Sequence, residues 1–284
     1  MLEIGTDRLR LGLHEPEDGF YLGTRFDHGG VFGSVMLDGT EFCGRWFERY
    51  DPYLHDAVCG PAEEFSLMVL PSGASLKIGV GLLDADPETY DRFRLYPVTD
   101  AGTWSWEQSA DKLVFRHLLK SFYLYEKTIF LTGEQSFRID HVLVADQALE
   151  GEVYNHNFFT MGRLAVDEKR IIDFPFVPAG HWRATYDSVS FQGKGIRFSR
   201  PLAVGESVFA GDIREKGRAG MPYGMSLREG RLSVQISGSV PVTRTVLWAN
   251  HRVACLEPYN DIVLRPGETF RWWVDYRLST GLDC

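Results

Sequence analysis

One stretch of the sequence, GEVYNHNFF, places a histidine, His156, among aromatic residues. Aromatic and β-branched residues dominate this stretch and no helical spacing of apolar positions fits, so it predicts a strand. Because successive side chains of a strand alternate between its faces, His156 shares a face with Tyr154 and Phe158. Asn155 and Asn157 point the other way. An imidazole in this setting can transfer protons near neutral pH; the alternative is a packed histidine with a satisfied hydrogen bond.

A carboxylate near the carboxyl end, Glu257 in the stretch NHRVACLEPY, is the second candidate for proton transfer. Alternation places four residues on one strand face: His251, Val253, Cys255 and Glu257. Pro258 is expected to end this strand. A carboxylate on a small, apolar face loses hydration, which raises its pKa and suits it to proton transfer. The alternative is a solvated glutamate at the rim of a strand.

A lysine, Lys77, stands in the alternating segment SLKIGVG, which predicts one strand over residues 75–81. Leu76, Ile78 and Val80 form its apolar face, and Lys77 lies on the opposite face among small residues. Small residues beside a single cation indicate that a ligand or a second sheet approaches that face closely. The alternative is an exposed lysine on an ordinary strand.

Charge and composition narrow the class of ligand. A net charge of −9 argues against nucleic acid or an anionic membrane as partner, because phosphate binding needs clustered cations. A neutral or polar small molecule fits better. The 12 Tyr, 19 Phe and 7 Trp residues could supply platforms on which sugars stack, although most of them could equally be core.

No targeting or metal signal is visible. The amino terminus has no basic and apolar leader, and no run of about 20 apolar residues occurs, so we expect neither a signal peptide nor a membrane span. Four cysteines are widely scattered and form no CxxC pair: Cys43, Cys59, Cys255 and Cys284. This spacing predicts no structural zinc site and favours reduced thiols in a cytoplasmic protein.

Strand patterns run almost throughout the chain. A long hairpin is predicted from residues 122–131 and 136–145, and residues 84–92 form the clearest irregular or helical turn. No linker or internal repeat separates the segments. The sequence therefore predicts one all-β domain over residues 1–284, built of two large, mostly antiparallel sheets packed face to face.

Taken together, the two proton-transfer stretches resemble the galactose mutarotase (aldose 1-epimerase) family. NHNFF at 155–159 follows the long hairpin, as the family's NH-x-x-F strand does, and the LE pair ending at Glu257 matches its later strand. RPGE at 265–268 leads into the last strand, as the family's PGE segment does. GIRFSRP at 195–201, followed by Gly205, is similar to its FxxP…G loop. In order and spacing the match covers about the last two thirds of the chain.

The resemblance implies a fold and an activity. The fold would be a β supersandwich, and the activity would interconvert the α and β anomers of a small sugar by opening its ring. Glu257 would act as the base and His156 as the acid. Because both steps are proton transfers, no metal or organic cofactor is expected. The protein would act as a monomer or homodimer.

The first third of the chain departs from the family. Arg45, in Gly44-Arg45-Trp46, is the candidate for the family's early arginine. The family also has a histidine in an HG dipeptide that contacts the sugar, and no such dipeptide occurs in the corresponding loop of this chain. Either His55 fills that role, or Glu63 or Glu64 replaces the histidine. The family's sugar-binding aspartate has no clear counterpart.

Several polar residues would orient sugar hydroxyls: Arg45, His55 and Glu64, with Lys77 if its face lines the cleft. Arg25, in GTRFD, either joins them or holds a structural ion pair with Asp27 or its neighbours.

Two rival functions remain. The first is a non-catalytic sugar-binding protein on the same scaffold, since a fold does not fix a function. The second is a glycoside hydrolase with a carboxylate pair drawn from Glu63, Glu64 and Glu257. Adjacent Glu63 and Glu64 face opposite sides of a strand, so only Glu64 with Glu257 could form the pair, at a separation of ~5–9.5 Å.

Overall fold

The computed structural model describes residues 1–281. All regular secondary structure in that range is β-strand. In chain order the strands are β1 (Leu2–Gly5), β2 (Leu9–His14), β3 (Val31–Leu37), β4 (Thr40–Glu41), β5 (Gly60–Phe65), β6 (Met68–Val69), β7 (Ser75–Lys77), β8 (Gly81–Leu83), β9 (Val98–Asp100), β10 (Thr103–Gln108), β11 (Lys112–Leu119), β12 (Tyr123–Gly133), β13 (Ser136–Ala145), β14 (Leu149–Phe158), β15 (Arg170–Asp173), β16 (Pro178–Trp182), β17 (Val189–Gln192), β18 (Gly195–Phe198), β19 (Ser207–Glu215), β20 (Gly224–Glu229), β21 (Leu232–Gly238), β22 (Arg244–Asn250), β23 (Ala254–Leu264) and β24 (Thr269–Ser279).

Two large sheets dominate the architecture. One has ten strands in the order β10-β11-β12-β13-β24-β21-β20-β15-β18-β17, and the other has six in the order β16-β19-β22-β23-β14-β5. Two four-stranded sheets, β1-β2-β3-β4 and β6-β7-β8-β9, complete the fold. The pairings within the large sheets are antiparallel, including that of the long β12–β13 hairpin. The all-β prediction is confirmed, whereas the prediction of one domain over residues 1–284 stays a prediction.

One apolar cluster lies between the two large sheets. It joins side chains of the ten-stranded sheet, such as Ile129 and Ile139, to side chains of the six-stranded sheet, such as Leu247 and Leu256. Burial alternates along β13, as expected for a strand with one face in the core. Burying these aliphatic and aromatic faces is the main favourable term that holds the sheets together.

The six-stranded sheet differs, because its central strands are buried on both faces. Residues 153–158 of β14 are buried without a break, and so is all of β5. Loops that follow β2 and β4 cover the outer face, and their apolar side chains Phe26 and Trp46 pack with Phe158 of β14 and Cys255 of β23. A roofed face on an antiparallel sheet is where a ligand can be enclosed.

The strand predicted over residues 75–81 is broken, so that prediction is wrong. β7 ends at Lys77, and the chain turns before β8 begins at Gly81. Gly79 has a φ of +77°, and a Cβ there would lie 2.4 Å from the Cβ of Asp27. The close approach that the small residues indicated is therefore made by another segment of the chain.

Pro258 does not end the later strand, contrary to the prediction. It lies inside β23 and is paired with Thr245 of β22. Pairing of β23 with β14 stops at Tyr259, one residue away, so the missing N–H of the proline falls where that ladder is interrupted.

Residues 84–92 contain no strand or helix, in keeping with their predicted irregularity. Cys43, Cys59 and Cys255 are buried free thiols, and Cys284 lies outside the described residues. Within residues 1–281 there is no helix that could span a membrane.

Candidate active site

The site is built on an interruption between two central strands of the six-stranded sheet. β14 and β23 pair from Leu149–Leu264 to Tyr154–Tyr259, and a single bridge joins them again at Phe159–Ala254. Between these points the backbone ladder is absent. His156 and Glu257 stand in this interval, with their side chains on the outer, roofed face.

The side chain of Asn157 fills the interruption from the inner face. Its amide donates to the carbonyl of Leu256 at 2.8 Å, and its Oδ1 accepts from the hydroxyl of Tyr276 at 2.9 Å. These hydrogen bonds replace the missing backbone ladder and keep the two strands at a fixed separation. β14 and β23 therefore stay in a fixed arrangement although their backbones are not hydrogen-bonded to each other here.

His156 and Glu257 meet at the floor of the site. Nε2 of His156 lies 3.1 Å from Oε1 of Glu257, and both side chains are buried. The imidazole stacks on Phe158 with 3.9 Å between ring centroids and meets the ring of Phe26 edge-on at 5.8 Å. The ring orientation is thus set by packing as well as by the carboxyl contact.

Burial sets the protonation of this pair. It lowers the pKa of His156 well below its usual value, and the nearby charges of Arg25 and Arg92 act in the same direction. It also raises the pKa of Glu257 to about 7. A neutral imidazole therefore faces a carboxyl that exchanges its proton near neutral pH, and Nδ1 of His156 is buried without a hydrogen-bond partner.

A cavity of about 460 Å³ opens above the pair. This volume lies within the range of small-molecule sites. The lining residues are Arg25, Trp46, His55, Asp56, Arg92, Phe93, His156, Phe158, Arg183, Phe209, Arg244, Val246, Trp248, Glu257 and Tyr259. Aromatic rings and arginines dominate, which suits a ligand with both apolar faces and many oxygen atoms. Residues 1–281 contain no group of three or more His, Cys, Asp or Glu side chains arranged to hold a metal ion.

Glu64 lies behind the cavity wall, where it collects cations. Nε of Arg25 lies 2.5 Å from its carboxylate, Arg92 approaches at 3.4 Å and Lys77 at 3.8 Å, and the hydroxyl of Tyr154 donates to it. Burial alone would raise the pKa of Glu64, but the three cations and the hydroxyl hold it below its usual value. Glu64 therefore acts as an ionised anchor that fixes the side chains in front of it.

Four of the seven residues predicted for the site line the cavity: Arg25, His55, His156 and Glu257. Glu64 and Lys77 stand behind it, and burial lowers the pKa of Lys77 to about 8. Arg25 pairs with Glu64, and the ion pair weighed above with Asp27 is not the one that forms.

Arg45 lies apart from the cavity. Its guanidinium donates to the carbonyl oxygens of Phe47 and Glu48 at 3.4 and 3.1 Å, and its side chain is exposed. It stacks over the ring of Phe47 at 5.1 Å. These contacts stabilise the loop after β4. A direct contact between Arg45 and a ligand in the cavity is not supported by this position.

The sequence did not reveal three arginines of the lining. Arg244 could have been found, since the alternation in β22 puts it on the same face as Val246 and Trp248, beside Glu257 on β23. Arg92 and Arg183 lie outside strands, where no periodicity shows which way a side chain points.

Neither a family model nor a curated protein matches this sequence. Solved structures do match. The chain aligns with a protein provisionally named aldose 1-epimerase from Escherichia coli K12 at a TM-score of 0.61 and 12% identity, covering 98% of both chains. The GalM/aldose epimerase homologue from C. elegans gives 0.59 and 12%, again over 98% of both chains. A galactose mutarotase related enzyme from Lactobacillus acidophilus gives 0.57 and 13%, over 99% of this chain and 98% of that one. The protein thus has the galactose mutarotase-like β-sandwich fold.

Proposed function

We propose that this protein interconverts the α and β anomers of an aldose, with Glu257 as base and His156 as acid. The observation that carries the proposal is the 3.1 Å contact between these two side chains at the floor of a cavity lined by aromatic rings and arginines. The names of the matched structures, which refer to aldose epimerases and mutarotases, support the same activity.

The reaction moves one proton on and one proton off the sugar. Glu257 takes the proton of the anomeric hydroxyl while His156, as imidazolium, protonates the ring oxygen. The bond between C1 and the ring oxygen breaks, and the C1 carbonyl forms. The open aldehyde rotates about C1–C2 and closes on its other face with both roles reversed. No proton or electron is left over, and each group is expected to contribute ~10²–10⁴-fold to the rate.

The close contact of the two side chains suits this reaction. The anomeric and ring oxygens are both bonded to C1, so two proton-transfer groups must also stand side by side. The pair needs one proton between carboxylate and imidazole, and the reaction passes that proton from His156 to Glu257 and back. Burial favours the neutral form of each group, so the reacting carboxylate and imidazolium form from a resting pair of neutral carboxyl and neutral imidazole by transfer of that one proton.

The test measures anomer exchange directly. Polarimetry or exchange NMR would follow freshly dissolved α-glucose, α-galactose and a wider panel of aldoses and their charged derivatives. We expect acceleration with at least one sugar, and a loss of ~10²-fold or more in Glu257→Gln and His156→Asn. Glu150→Gln is the matched control, because Glu150 is an exposed glutamate on the same strand as His156.

The rival is a sugar-binding protein without activity. Saturable binding with no acceleration for any sugar would favour it and contradict the proposal. As part of the proposal we place the protein in the cytoplasm, since Cys43, Cys59 and Cys255 are buried free thiols that suit a reducing compartment.

A further inference from the structure

The lining of the cavity is rich in positive charge. It contains four arginines, Arg25, Arg92, Arg183 and Arg244, against the carboxyl groups of Asp56 and Glu257. The chain as a whole has a net charge of −9. A positive cavity in an acidic protein is a local feature that attracts and orients an anionic ligand.

Three of the four guanidinium groups are held by carboxylates of the protein. Arg25 and Arg92 share Glu64, and Arg244 forms a two-pronged pair with Glu152. These residues form the fixed part of the wall.

Arg183 differs from the other three. Within the part of the chain that the structure describes, no carboxylate pairs with it, and its guanidinium lies over the ring of Phe209 at 4.0 Å from the centroid. Its side chain is exposed at the rim. A planar guanidinium that rests on an aromatic face keeps its N–H donors free for a carboxylate or phosphate.

Protonation at the floor agrees with a surplus of positive charge. Besides burial, Arg25 and Arg92 lower the pKa of His156, so their charge acts at the floor although both pair with Glu64.

The position of Arg183 fits the length of a sugar. Its backbone N–H donates to the carbonyl of Phe209 on β19, and β19 pairs with β22, which pairs with β23. Two strand spacings, or about 10 Å, therefore separate Phe209 from the strand of Glu257. A pyranose with its anomeric centre over Glu257 can span part of this distance when a charged group extends from its C6, and the long side chain of Arg183 can span the rest.

We infer that the cavity takes an anionic sugar, a pyranose that carries a carboxylate or phosphate group, and that Arg183 binds this group. The inference rests on the proposed function for the orientation of the sugar. It assigns Arg183 a role in selecting the substrate and none in the proton transfers.

The first experiment compares matched sugars. Exchange NMR would give kcat/KM for glucose, glucuronate and glucose 6-phosphate, and for galactose and galacturonate. We expect a charged member to exceed its neutral parent at least about tenfold, as for one charge-assisted hydrogen bond. The two charged glucose derivatives distinguish a carboxylate from a phosphate. The preference should weaken as salt is added, because Arg183 is exposed.

Variants then locate the preference. Arg183→Gln should reduce the ratio of charged to neutral kcat/KM about ten- to hundredfold, mainly through KM, and Arg183→Lys should retain part of it. Arg231→Gln is the matched control, since Arg231 is exposed at the turn between β20 and β21 of the other large sheet and its loss changes the net charge equally. Thermal melts would verify that each variant is folded.

A second experiment separates this inference from the proposed activity. Methyl glycosides cannot open their rings, so calorimetry with methyl glucoside, methyl glucuronoside and methyl glucoside 6-phosphate measures binding alone. Arg183-dependent preference for a charged glycoside, together with no anomer exchange for any sugar, would support the anionic ligand and contradict the epimerase. Equal or absent binding of charged and neutral glycosides, or a preference unchanged in Arg183→Gln, would overturn the inference.

Discussion

Two consecutive glutamates of β5, Glu63 and Glu64, occupy opposite faces of the six-stranded sheet. Both carboxylates are buried, both are held ionised by cations, and burial alone would raise the pKa of each. Glu63 points between the two large sheets, whereas Glu64 stands behind the cavity. The comparison separates charges that hold the fold together from charges that arrange a binding site.

The inner group is closed on itself. Lys127 contacts Glu63 and lies 3.2 Å from Asp27, and Nε2 of His141 lies 3.5 Å from Glu63. Burial lowers the pKa of His141 to about 3, so that this ring is neutral. Asn155 donates to Glu63 at 2.8 Å, which ties β14 to this network from behind. One ammonium group therefore serves two buried carboxyl groups, and burial raises the pKa of one of them, Asp27, to about 7.

The outer group has more cations than carboxylates, the opposite of the inner group. Arg25, Arg92 and Lys77 surround the single carboxylate of Glu64, and two of the three cations face the cavity. Excess cation in a closed core would be costly to desolvate, but beside a cavity it can be compensated by a ligand. The difference teaches that the inner face is arranged for stability and the outer face for binding.

The largest effect on stability is expected from a substitution that disrupts the inner group of charges. Lys127→Met leaves Asp27 and Glu63 buried with no ammonium between them, so we expect a loss of about 3–5 kcal/mol in the free energy of unfolding. Lys77→Met on the outer face should cost less, about 1–2 kcal/mol, because Arg25 and Arg92 still neutralise Glu64. Urea denaturation at neutral pH measures both values.

The pH dependence of that loss provides its control. Without Lys127, the pKa of each inner carboxyl is raised in the folded protein above its unfolded value. Such a group binds protons more tightly in the folded state, so lowering the pH favours the folded variant. The cost of Lys127→Met should therefore shrink between pH 7 and pH 5. Equal losses for Lys127→Met and Lys77→Met would contradict the division between the two faces.

A smaller effect comes from two buried tyrosine hydroxyls, one on each face. The hydroxyl of Tyr154 accepts from Arg25 at 3.1 Å and from Arg92 at 2.9 Å, and that of Tyr125 donates to Asp27 at 3.1 Å. Tyr154→Phe and Tyr125→Phe should each lower the free energy of unfolding by about 1–3 kcal/mol.

Activity distinguishes the two tyrosine variants. Tyr154→Phe removes one hydrogen-bond partner from each of Arg25 and Arg92, which line the cavity, so they are held less firmly and KM for the sugar should rise. Tyr125→Phe should leave KM at the wild-type value, since its partners lie between the sheets. Steady-state anomer exchange measures both, and a KM changed equally in the two variants would show that the faces are coupled.

Part of this site could be predicted from the sequence, and the reason is the period of a strand. Alternation assigned His156 to the face of Tyr154 and Phe158, and it separated Glu63 from Glu64. The contact between His156 and Glu257 depends on the pairing of two strands about a hundred residues apart, which local periodicity cannot specify.

The features that the sequence did not predict correctly have physical causes of the same kind. A helix or strand pattern says nothing about a loop, so the segment with Arg92 could be recognised as irregular but not placed over Tyr154. The strand expected at residues 75–81 is broken because Asp27 approaches Gly79, a tertiary contact invisible to local pattern. Arg45 has the right type but its guanidinium is bound to the carbonyls of its own loop.

The pH profile of anomer exchange gives the smallest and sharpest test of the outer group. The reaction needs the His156–Glu257 pair to carry one proton, and that proton is lost as the pH rises through the pKa of Glu257, about 7. We therefore expect kcat/KM to fall above pH 7, by about tenfold for each pH unit. The acid limb should lie well below pH 6.5, because burial, Arg25 and Arg92 depress the pKa of His156.

Arg92 should move this profile. Its charge lowers the pKa of Glu257, opposing the larger effect of burial, so Arg92→Gln raises that pKa and shifts the alkaline limb upward by about 0.5–1 pH unit. Arg94→Gln is the matched control, since Arg94 is an exposed arginine two residues away that pairs with Asp91. An equal shift in both variants would indicate net charge and not position. Because loss of a cation raises the pKa of any group beside it, an unchanged profile or a downward shift in Arg92→Gln would contradict the assignment of the alkaline limb to Glu257.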